Sequence, residues 1–356
     1  MELSELQEQI INSNATKIVV IASAACGKTR TLTERVRYWL RMGVDPSEIC
    51  AITFTNAAAN EMQVRLGADY KDGMFIGTIH ALAARFLLMG GYGAEVGQAI
   101  DDEEFDLFFT FIQKHPDCVQ HYTHILVDEA QDLSINEYDF IFRMINPEFF
   151  FVVGDYRQNI YESLKGASYK YIVGLAERPD VVKFDLNENY RNKANILQRA
   201  KQTLRAIGMV DNSRAMSLGG TVYEGRLDMD TLLYWITTVD TYKDWAILCY
   251  SNEDIQWMMS ELKKRDIPVI NFNQKQKTKK ELDDLVNTNA VKVLTVWGAK
   301  GLGFPNVAVY GTNWLLKNKK NMDKHREGAR VDYVAYTRAM NSLMILSPVS
   351  KKSKWF

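Results

Sequence analysis

Short apolar runs alternate with longer amphipathic stretches along the first part of the chain. The β-branched run Lys17–Ala22 is followed by a short loop and then by the helical pattern of Lys28–Arg41. The same strand-then-helix order predicts three further pairs: Ile49–Thr53 with Asn56–Leu66, Met74–Gly77 with His80–Met89, and His124–Val127 with Asn136–Ile145. A last strand, Phe149–Val153, is expected to close this half. Strands that alternate with helices predict a parallel sheet covered on both faces.

The alternation resumes after Arg191 and predicts a second α/β unit. Its expected elements are the strands Trp245–Leu248, Pro268–Asn271, Val291–Thr295, Val307–Tyr310 and Ser342–Leu346, and the helices Asp254–Arg265 and Arg330–Met340. Gly90–Gln120 resembles a small helical insertion, and Asn273–Asn289 is a polar connection. Because 356 residues suffice for two cores, we expect two α/β domains, residues 1–190 and 191–356, with the insertion at about 81–121.

Composition narrows the class of protein. Apolar residues make up 47% of the chain and charged residues 24%, as in ordinary globular proteins. The net charge of −1 means that a nucleic-acid partner would have to be held by a local groove. The four cysteines show no zinc-site spacing, and neither a signal peptide nor an apolar stretch near the ~18 residues of a membrane span is present. These features predict a cytoplasmic protein with reduced thiols and no membrane association.

The loop between the first strand and the first long helix carries a phosphate-binding motif. It reads Ala22, Ser23, Ala24, Ala25, Cys26, Gly27, Lys28, Thr29, which matches a Walker A loop that opens with alanine. Gly27 allows close backbone approach, Lys28 reaches β- and γ-phosphate oxygens, and Thr29 offers its hydroxyl to Mg²⁺. Ser23 and Ala25 stand where glycine is more usual, so a stiffer loop is expected.

A second motif places two carboxylates at the end of an apolar strand. In Ile125-Leu-Val-Asp-Glu129, Asp128 is suited to hold Mg²⁺ through water, and Glu129 is suited to polarise an attacking water. The combination with the Walker A loop predicts a hydrolase of ATP or GTP.

Further motifs follow in an order that resembles the UvrD/Rep group of superfamily 1 helicases. The matching strings are Ala51–Met62 (motif Ia), Gly77–His80 (the next DNA-side motif), Val127–Asp132 (II), Val153–Tyr161 (III), Asn187–Arg191 (IV), Thr295–Leu302 (V) and Tyr333–Met340 (VI). The resemblance covers nearly the whole chain. It implies two RecA-like P-loop NTPase domains, parallel sheets with helices on both faces, with ATP bound between them.

The resemblance also implies roles for individual residues. Gln7 and Tyr190 would contact adenine, Gln158 would sense the γ-phosphate, and Arg191 and Arg338 would reach the same phosphate. The expected nucleotide-binding set is Gln7, Ala22, Ser23, Ala24, Ala25, Cys26, Gly27, Lys28, Thr29, Arg30 and Tyr190. The expected catalytic set is Lys28, Asp128, Glu129, Gln158, Arg191 and Arg338, with Mg²⁺ at Thr29 and Asp128.

On the nucleic-acid side, aromatic and polar groups stand where the family holds a single strand. The expected contacts are Phe54, Asn56, His80, Tyr161, Lys165 and Trp297. Stacking of bases on such rings tolerates any sequence and is worth about 1–3 kcal/mol per base. A motor that moves along a strand requires this tolerance.

The chain departs from the family pattern at three places. In the family, motif III continues into a string with a tryptophan and an arginine. This chain has Leu164 and Lys165 there instead, and lysine cannot make the arginine's bidentate contact. In motif V, Gly303 stands where the family carries glutamate, which removes a contact to the ribose or to the domain interface. The large insertion of the second half is missing, so the sequence predicts a minimal member.

Two functions remain open at this point. The first is an ATP-dependent DNA translocase or helicase of 3′ to 5′ polarity, a monomeric motor on single-stranded or tailed duplex DNA in repair or replication. The alternative is a DNA-stimulated ATPase switch that recruits a nuclease or a replication or repair protein and unwinds little. A metabolic P-loop kinase or GTPase is disfavoured because neither would require motifs Ia, V and VI.

Overall fold

The computed structural model describes residues 2–238, 241–272, 284–285, 287–311, 313–317 and 321–348, apart from the side chains of Leu164, Lys165, Trp314 and Lys317. The chain divides into two compact units, Met1–Leu186 and Asn187–Phe356. Within the described ranges, no helix is both long and apolar enough to cross a membrane. Most of the predicted polar connection Asn273–Asn289 lies outside the described residues.

The first unit is built on a six-stranded parallel sheet. Its strands are β1 (Lys17–Ala22), β2 (Ile49–Thr53), β3 (Phe75–Thr78), β4 (His124–Val127), β5 (Phe149–Gly154) and β6 (Val182–Leu186), in the order β3-β2-β4-β5-β1-β6. Its helices are α1 (Glu5–Ile11), α2 (Lys28–Arg41), α3 (Asn56–Leu66), α4 (Ile79–Met89), α5 (Gly93–Asp101), α6 (Leu107–Lys114), α7 (Ile135–Asp139), α8 (Glu162–Lys165) and α9 (Lys170–Ala176).

Side chains of this sheet form one core on each face. Val19 and Ile21 of β1 belong to one buried cluster, and Ile18 and Val20 belong to the other. Successive strand residues point to opposite faces, so a continuous apolar run can fill both cores. The predicted parallel sheet with helices on both faces is confirmed.

The second unit contains another six-stranded parallel sheet. Its strands are β9 (Thr221–Arg226), β10 (Trp245–Cys249), β11 (Val269–Asn271), β12 (Val291–Thr295), β13 (Phe304–Tyr310) and β14 (Ala339–Ser347), in the order β11-β12-β10-β13-β14-β9. A separate pair of parallel strands comprises β7 (Glu188–Lys193) and β8 (Arg214–Ser217). Its described helices are α10 (Ala194–Arg205), α11 (Met229–Thr237), α12 (Asn252–Lys263), α13 (Trp314–Lys317) and α14 (Met322–Tyr336).

Two predictions about the elements were wrong. The strand Phe149–Val153 does not close the first sheet, because β6 pairs in parallel with β1 at its edge. The expected helix Arg330–Met340 in fact ends at Tyr336, and Ala339 already begins β14. Strand β6 was not predicted because most of its residues are exposed and its polar and apolar residues are mixed. The chain turns at the two residues between α14 and β14. The pattern of apolar residues alone does not show where that turn lies.

The remaining differences are smaller. Helix α7 continues as a π-helix over Phe140–Ile145, where one continuous helix was expected. The stretch between Arg191 and Trp245 contains α10, α11, β8 and β9, which the sequence reading passed over. Helices α5 and α6 occupy the expected helical insertion.

Candidate functional site

The Walker A loop leaves β1 at its carboxyl end and enters α2 directly. Ala25 and Gly27 both adopt left-handed backbone conformations, with φ of 59° and 82°. Lys28 is the first residue of the 14-residue helix α2, whose first turn contains no acidic residue. Unpaired backbone N–H groups and the helix dipole make such an end a binding site for an anion. The loop can therefore bind a phosphate group.

Gln7 supports this loop from α1. Its Nε2 donates to the carbonyl oxygen of Cys26 at 3.2 Å, and its Oε1 accepts from the backbone N–H of Ser4 at 3.0 Å. A Cβ atom on residue 27 would lie 2.7 Å from that Nε2. Gly27 is thus required both for its positive φ and for the close approach of the Gln7 amide.

The carboxylates predicted for hydrolysis lie at the carboxyl end of β4, next to Lys28. The Nζ of Lys28 lies 3.1 Å from Oε1 of Glu129, and both side chains are largely buried. Burial lowers the pKa of Lys28, but the charges of Glu129, Asp128 and Asp155 outweigh this, and the pKa lies above its ordinary value. Lys28 is therefore held as a cation inside an acidic pocket.

The carboxylate of Asp128 is held by the backbone, and the backbone of Glu129 is unusual. Oδ1 of Asp128 accepts from the N–H of Glu129 at 2.8 Å. Glu129 has a φ of 51°, which is an uncommon backbone conformation for a residue other than glycine. Such conformations persist where the surrounding structure imposes them, and they concentrate at functional sites.

A buried hydrogen-bond network links Glu129 to the end of β5. The Nε2 of Gln131 donates to Oε2 of Glu129 at 2.5 Å, and its Oε1 accepts from the N–H of Asp155 at 2.8 Å. The carboxylate of Asp155 in turn accepts from Nε2 of Gln158 at 2.7 Å and from Nε of Arg157 at 2.5 Å. Gln158, predicted as the phosphate sensor, is thus connected to Glu129 through two residues.

Sequence reasoning did not identify Gln131, Asp155 or Arg157 as site residues. All three are at least 95% buried. All three lie inside the strings that match motifs II and III. Their positions close to Glu129 and Gln158 in the sequence could therefore have identified them. What the sequence could not show is that one amide side chain joins the two strings.

In the second unit, Arg191 and Arg338 donate to the same backbone oxygen. Nη1 of Arg191 lies 3.0 Å from the carbonyl oxygen of Leu302, and Nη1 of Arg338 lies 3.1 Å from it. Arg338 is 2% exposed and also donates from Nε to the carbonyl of Val334 at 2.9 Å. We call Arg191, Arg338 and Leu302 the arginine cluster. Two positive charges held together in this way favour an anion such as phosphate.

Two asparagines that the sequence reading missed fix the backbone of this cluster. The Nδ2 of Asn192 donates to the carbonyl oxygens of Thr337 and Ala339, on either side of Arg338, at 3.0 and 2.5 Å. The Oδ1 of Asn189 accepts from the N–H groups of Arg191 and Asn192 at 3.0 and 2.8 Å. Both asparagines are almost fully buried. The hydroxyl of Tyr190 donates to Oε2 of Glu188 at 2.7 Å.

The structure brings together some of the predicted DNA contacts in the first unit. The rings of Phe54 and Tyr161 lie 5.1 Å apart, tilted by 30°. His80 lies instead against the helical insertion, with Nε2 3.3 Å from Oδ1 of Asp106 and its ring 5.3 Å from Phe109.

Further predicted site residues are Asn56, Arg30, Trp297 and Lys165. Asn56 is exposed at the start of α3, and the Nη1 of Arg30 donates to the carbonyl of Glu2 at 3.1 Å. Trp297 is half-buried just beyond β12 in the second unit. The side chain of Lys165 lies outside the described residues.

The residues present fit a magnesium ion that is bound together with a nucleotide. Among the residues that the structure describes, no three His, Cys, Asp or Glu side chains are grouped to hold a metal on their own. Mg²⁺ commonly takes one or two protein ligands and completes its octahedron with phosphate oxygens and water. Thr29 and Asp128 would supply such a partial set, since each is adjacent in the chain to one member of the Lys28–Glu129 pair.

Comparison with known proteins agrees with this geometry. The chain matches the UvrD/REP helicase N-terminal domain over residues 3–116 and 106–180, and the UvrD-like helicase C-terminal domain over residues 270–350. A putative ATP-dependent DNA helicase of Acanthamoeba polyphaga mimivirus is 25% identical, over 96% of this chain and 52% of that protein.

Bacterial relatives cover a smaller share of the chain. The ATP-dependent DNA helicase PcrA of Leuconostoc citreum is 22% identical over 75% of this chain and 49% of its own length. The ATP-dependent DNA helicase Rep of Escherichia coli (strain K12) is 23% identical over 75% and 55%. The chain thus spans about half the length of these curated relatives. By its matches to both domains, the chain belongs to the UvrD/REP superfamily 1 helicase family.

Proposed function

We propose that this protein hydrolyses ATP and uses the energy to move 3′ to 5′ along single-stranded DNA, unwinding duplex that it meets. The observation that carries the proposal is the buried pair of Lys28 and Glu129 beside the Walker A loop, connected through Gln131 and Asp155 to Gln158. The relatives named above are described as DNA helicases, which supports DNA as the polymer.

In this proposal each part of the first unit has a defined task. The backbone of the loop and Lys28 bind the phosphates, and Glu129 takes up the proton of the attacking water. Glu129 starts out bonded to Lys28 and Gln131, so these two hold its carboxylate in place before the water arrives. Mg²⁺, bound by Thr29 and Asp128, would neutralise charge that develops on the phosphate oxygens.

In the second unit, Arg191 and Arg338 are proposed to bind phosphate, and Tyr190 is proposed to stack on adenine. A guanidinium suits the task because it stays protonated and offers several donors in a fixed plane. The pairing of the two groups on one carbonyl supports the proposal, since it keeps them ready for a single phosphate. The proposed domains are residues 1–190 and 191–356, whereas the two compact units divide four residues earlier, between Leu186 and Asn187.

For the DNA strand, we propose that Phe54 and Tyr161 form a stacking surface. Desolvation raises the pKa of the Tyr161 phenol, and the nearby charges of Asp132 and Glu129 add to the shift. The phenol therefore stays neutral and its ring lies close to the hydrolysis site. This proximity supports a direct effect of a bound base on the conformation of Glu129.

The rival proposal is a DNA-stimulated ATPase switch with little unwinding, which would recruit a nuclease or a replication or repair protein. The replacement of tryptophan and arginine by Leu164 and Lys165 after motif III favours it. Strand displacement on 3′-tailed and 5′-tailed duplexes separates the two. Displacement of the 3′-tailed duplex alone supports the motor, whereas ATP turnover without displacement supports the switch.

The primary experiment is ATP hydrolysis with and without a single-stranded DNA oligomer. We expect strong stimulation by DNA in the wild type and none in Glu129→Gln. A matched control is Glu261→Gln, because Glu261 lies outside the motifs and pairs with Lys264 and Arg265 at the surface of α12. Hydrolysis that ignores DNA, or that survives in Glu129→Gln, would contradict the proposed function.

A further inference from the structure

Gly303 follows directly after Leu302, whose carbonyl oxygen accepts from both arginines of the arginine cluster. The distances of 3.0 and 3.1 Å place the two Nη1 atoms no more than 6.1 Å apart. Two positive charges this close to each other repel. The side-chain positions of the cluster are therefore sensitive to whatever occupies the space around them.

A side chain at position 303 would enter the space of Arg191. A Cβ atom there would lie 2.8 Å from Nε and 3.1 Å from Cδ of Arg191, and 3.1 Å from Cε of Met340. Contacts below 3.0 Å force a displacement. The atoms in the way belong to long, flexible side chains and not to the backbone, so the cheapest response is a movement of the Arg191 side chain.

The backbone has little reason to move instead. Gly303 is not among the glycines with positive φ, so alanine is compatible with its conformation. On the other side, Asn189 holds the N–H of Arg191, and Asn192 holds the carbonyl groups that flank Arg338. A Cβ atom at position 303 would therefore displace the guanidinium of Arg191 and leave the surrounding backbone in place.

We propose that Gly303 is a positioning residue. By lacking a side chain, it allows the guanidinium of Arg191 to lie against the Leu302 carbonyl beside Arg338, in the arrangement that binds phosphate during turnover. This inference rests on the proposed function, and it gives a role to the position at which the chain lacks the glutamate of its family. Gly303 acts only through Arg191, since it offers no side chain of its own.

The test is a double-mutant cycle of Gly303→Ala and Arg191→Ala, read out as kcat and KM for ATP. We expect Gly303→Ala to lower kcat by about tenfold to a hundredfold, because a misplacement on the order of 1 Å costs about that much. In the Arg191→Ala background the same substitution should change kcat by less than about twofold, because residues in contact are not additive. Equal losses in both backgrounds would overturn the proposal.

Two controls sharpen the cycle. Gly174→Ala places a methyl group in open space within α9, so it should leave kcat unchanged. Met340→Ala combined with Gly303→Ala removes the other side chain that the new Cβ would touch. We expect no recovery of kcat in that double variant. Recovery would assign the effect to Met340 and overturn the proposal.

A readout that does not depend on activity separates this inference from the proposed function. The Nε–H resonance of Arg191, assigned by its absence in Arg191→Lys, should shift in Gly303→Ala, while that of Arg338 should stay. An unchanged Arg191 resonance would overturn the positioning role. If the resonance shifts but Arg191→Ala retains wild-type turnover, the positioning contact stands and the proposed function of Arg191 fails.

Discussion

The two units hold their cationic groups in different ways. In the first unit, Lys28 follows the carboxyl end of β1 and is surrounded by Glu129, Asp128 and Asp155. In the second unit, Arg191 and Arg338 lie near the amino ends of β13 and β14 and donate to a backbone carbonyl. Lys28 is thus paired with a carboxylate, whereas the two arginines share a backbone carbonyl as an acceptor.

The difference shows what each arrangement can do when a phosphate arrives. Lys28 already has strong partners, so a phosphate must compete with Glu129 and thereby frees that carboxylate for other work. The guanidiniums of Arg191 and Arg338 both donate to a carbonyl oxygen, which carries no formal charge. A guanidinium can form two parallel hydrogen bonds with a phosphate group, so the arginine cluster can exchange the Leu302 carbonyl for phosphate oxygens.

The largest expected effect concerns the charge-compensated site. Lys28→Ala should lower ATP turnover at least a hundredfold, because both the phosphate contact and the anchor of Glu129 are lost. Lys17→Ala is the matched control, since Lys17 pairs with Asp180 at the surface and such pairs contribute little. Turnover is measured with a coupled ATPase assay at saturating DNA. Unchanged turnover in Lys28→Ala would show that the Walker loop is not the site.

The next effect concerns stability in the second unit. Asn192→Ala should reduce the free energy of unfolding by about 2 kcal/mol, because it leaves the buried carbonyls of Thr337 and Ala339 without this donor. Urea denaturation followed by circular dichroism measures it. Asn195→Ala, which removes a single exposed bond to the carbonyl of Gly220, should cost clearly less. Equal losses would mean that Asn192 does not brace the cluster.

A third prediction addresses the network of the first unit. Gln131→Met should lower kcat by about tenfold, equivalent to about 1.4 kcal/mol of barrier, with a smaller change in KM for ATP. The reason is that methionine fills the space but cannot join Glu129 to Asp155. Gln63→Met in α3, which removes a bond to the carbonyl of Ile76 in β3, serves as the control. An unchanged kcat would show that the link between Glu129 and motif III does not contribute to turnover.

The smallest effect is a pH dependence of stability in the second unit. Burial lowers the pKa of Lys292 in β12 to about 8, although its Nζ donates to the carbonyl of Lys243 at 2.8 Å. Between pH 8 and about 10.5 the unfolded chain binds more protons than the folded one, so stability rises with pH.

This dependence should vanish in Lys292→Met. Relative to the wild type, the variant should be most stabilised below pH 8, and its advantage should shrink as the pH rises toward 10.5. Urea midpoints measured at pH 7, 8, 9 and 10 test this. A constant difference between the two proteins would show that Lys292 titrates as an ordinary surface lysine.

Much of the fold and part of the site could be predicted from local pattern. Apolar runs flanked by helical periodicity located β2, β4 and β12 to the residue, because buried parallel strands read as continuous apolar runs. The edge strand β6 was missed because edge strands carry exposed polar residues. The Walker loop was identified because its geometry depends on residues adjacent in the chain.

What the sequence alone determined is therefore the alternation of strands and helices in two α/β units, the Walker A loop, the acidic pair after β4 and the family. The tertiary structure alone decided that Gln131 joins Glu129 to Asp155, that Leu302 accepts from two arginines, and that Gly303 leaves room for Arg191. The physical reason is that these contacts use backbone carbonyls, amides and empty space. Every residue carries a backbone carbonyl, so the sequence does not mark the one that accepts. Arg191 contacts Leu302, 111 residues away in the chain, only after the chain has folded.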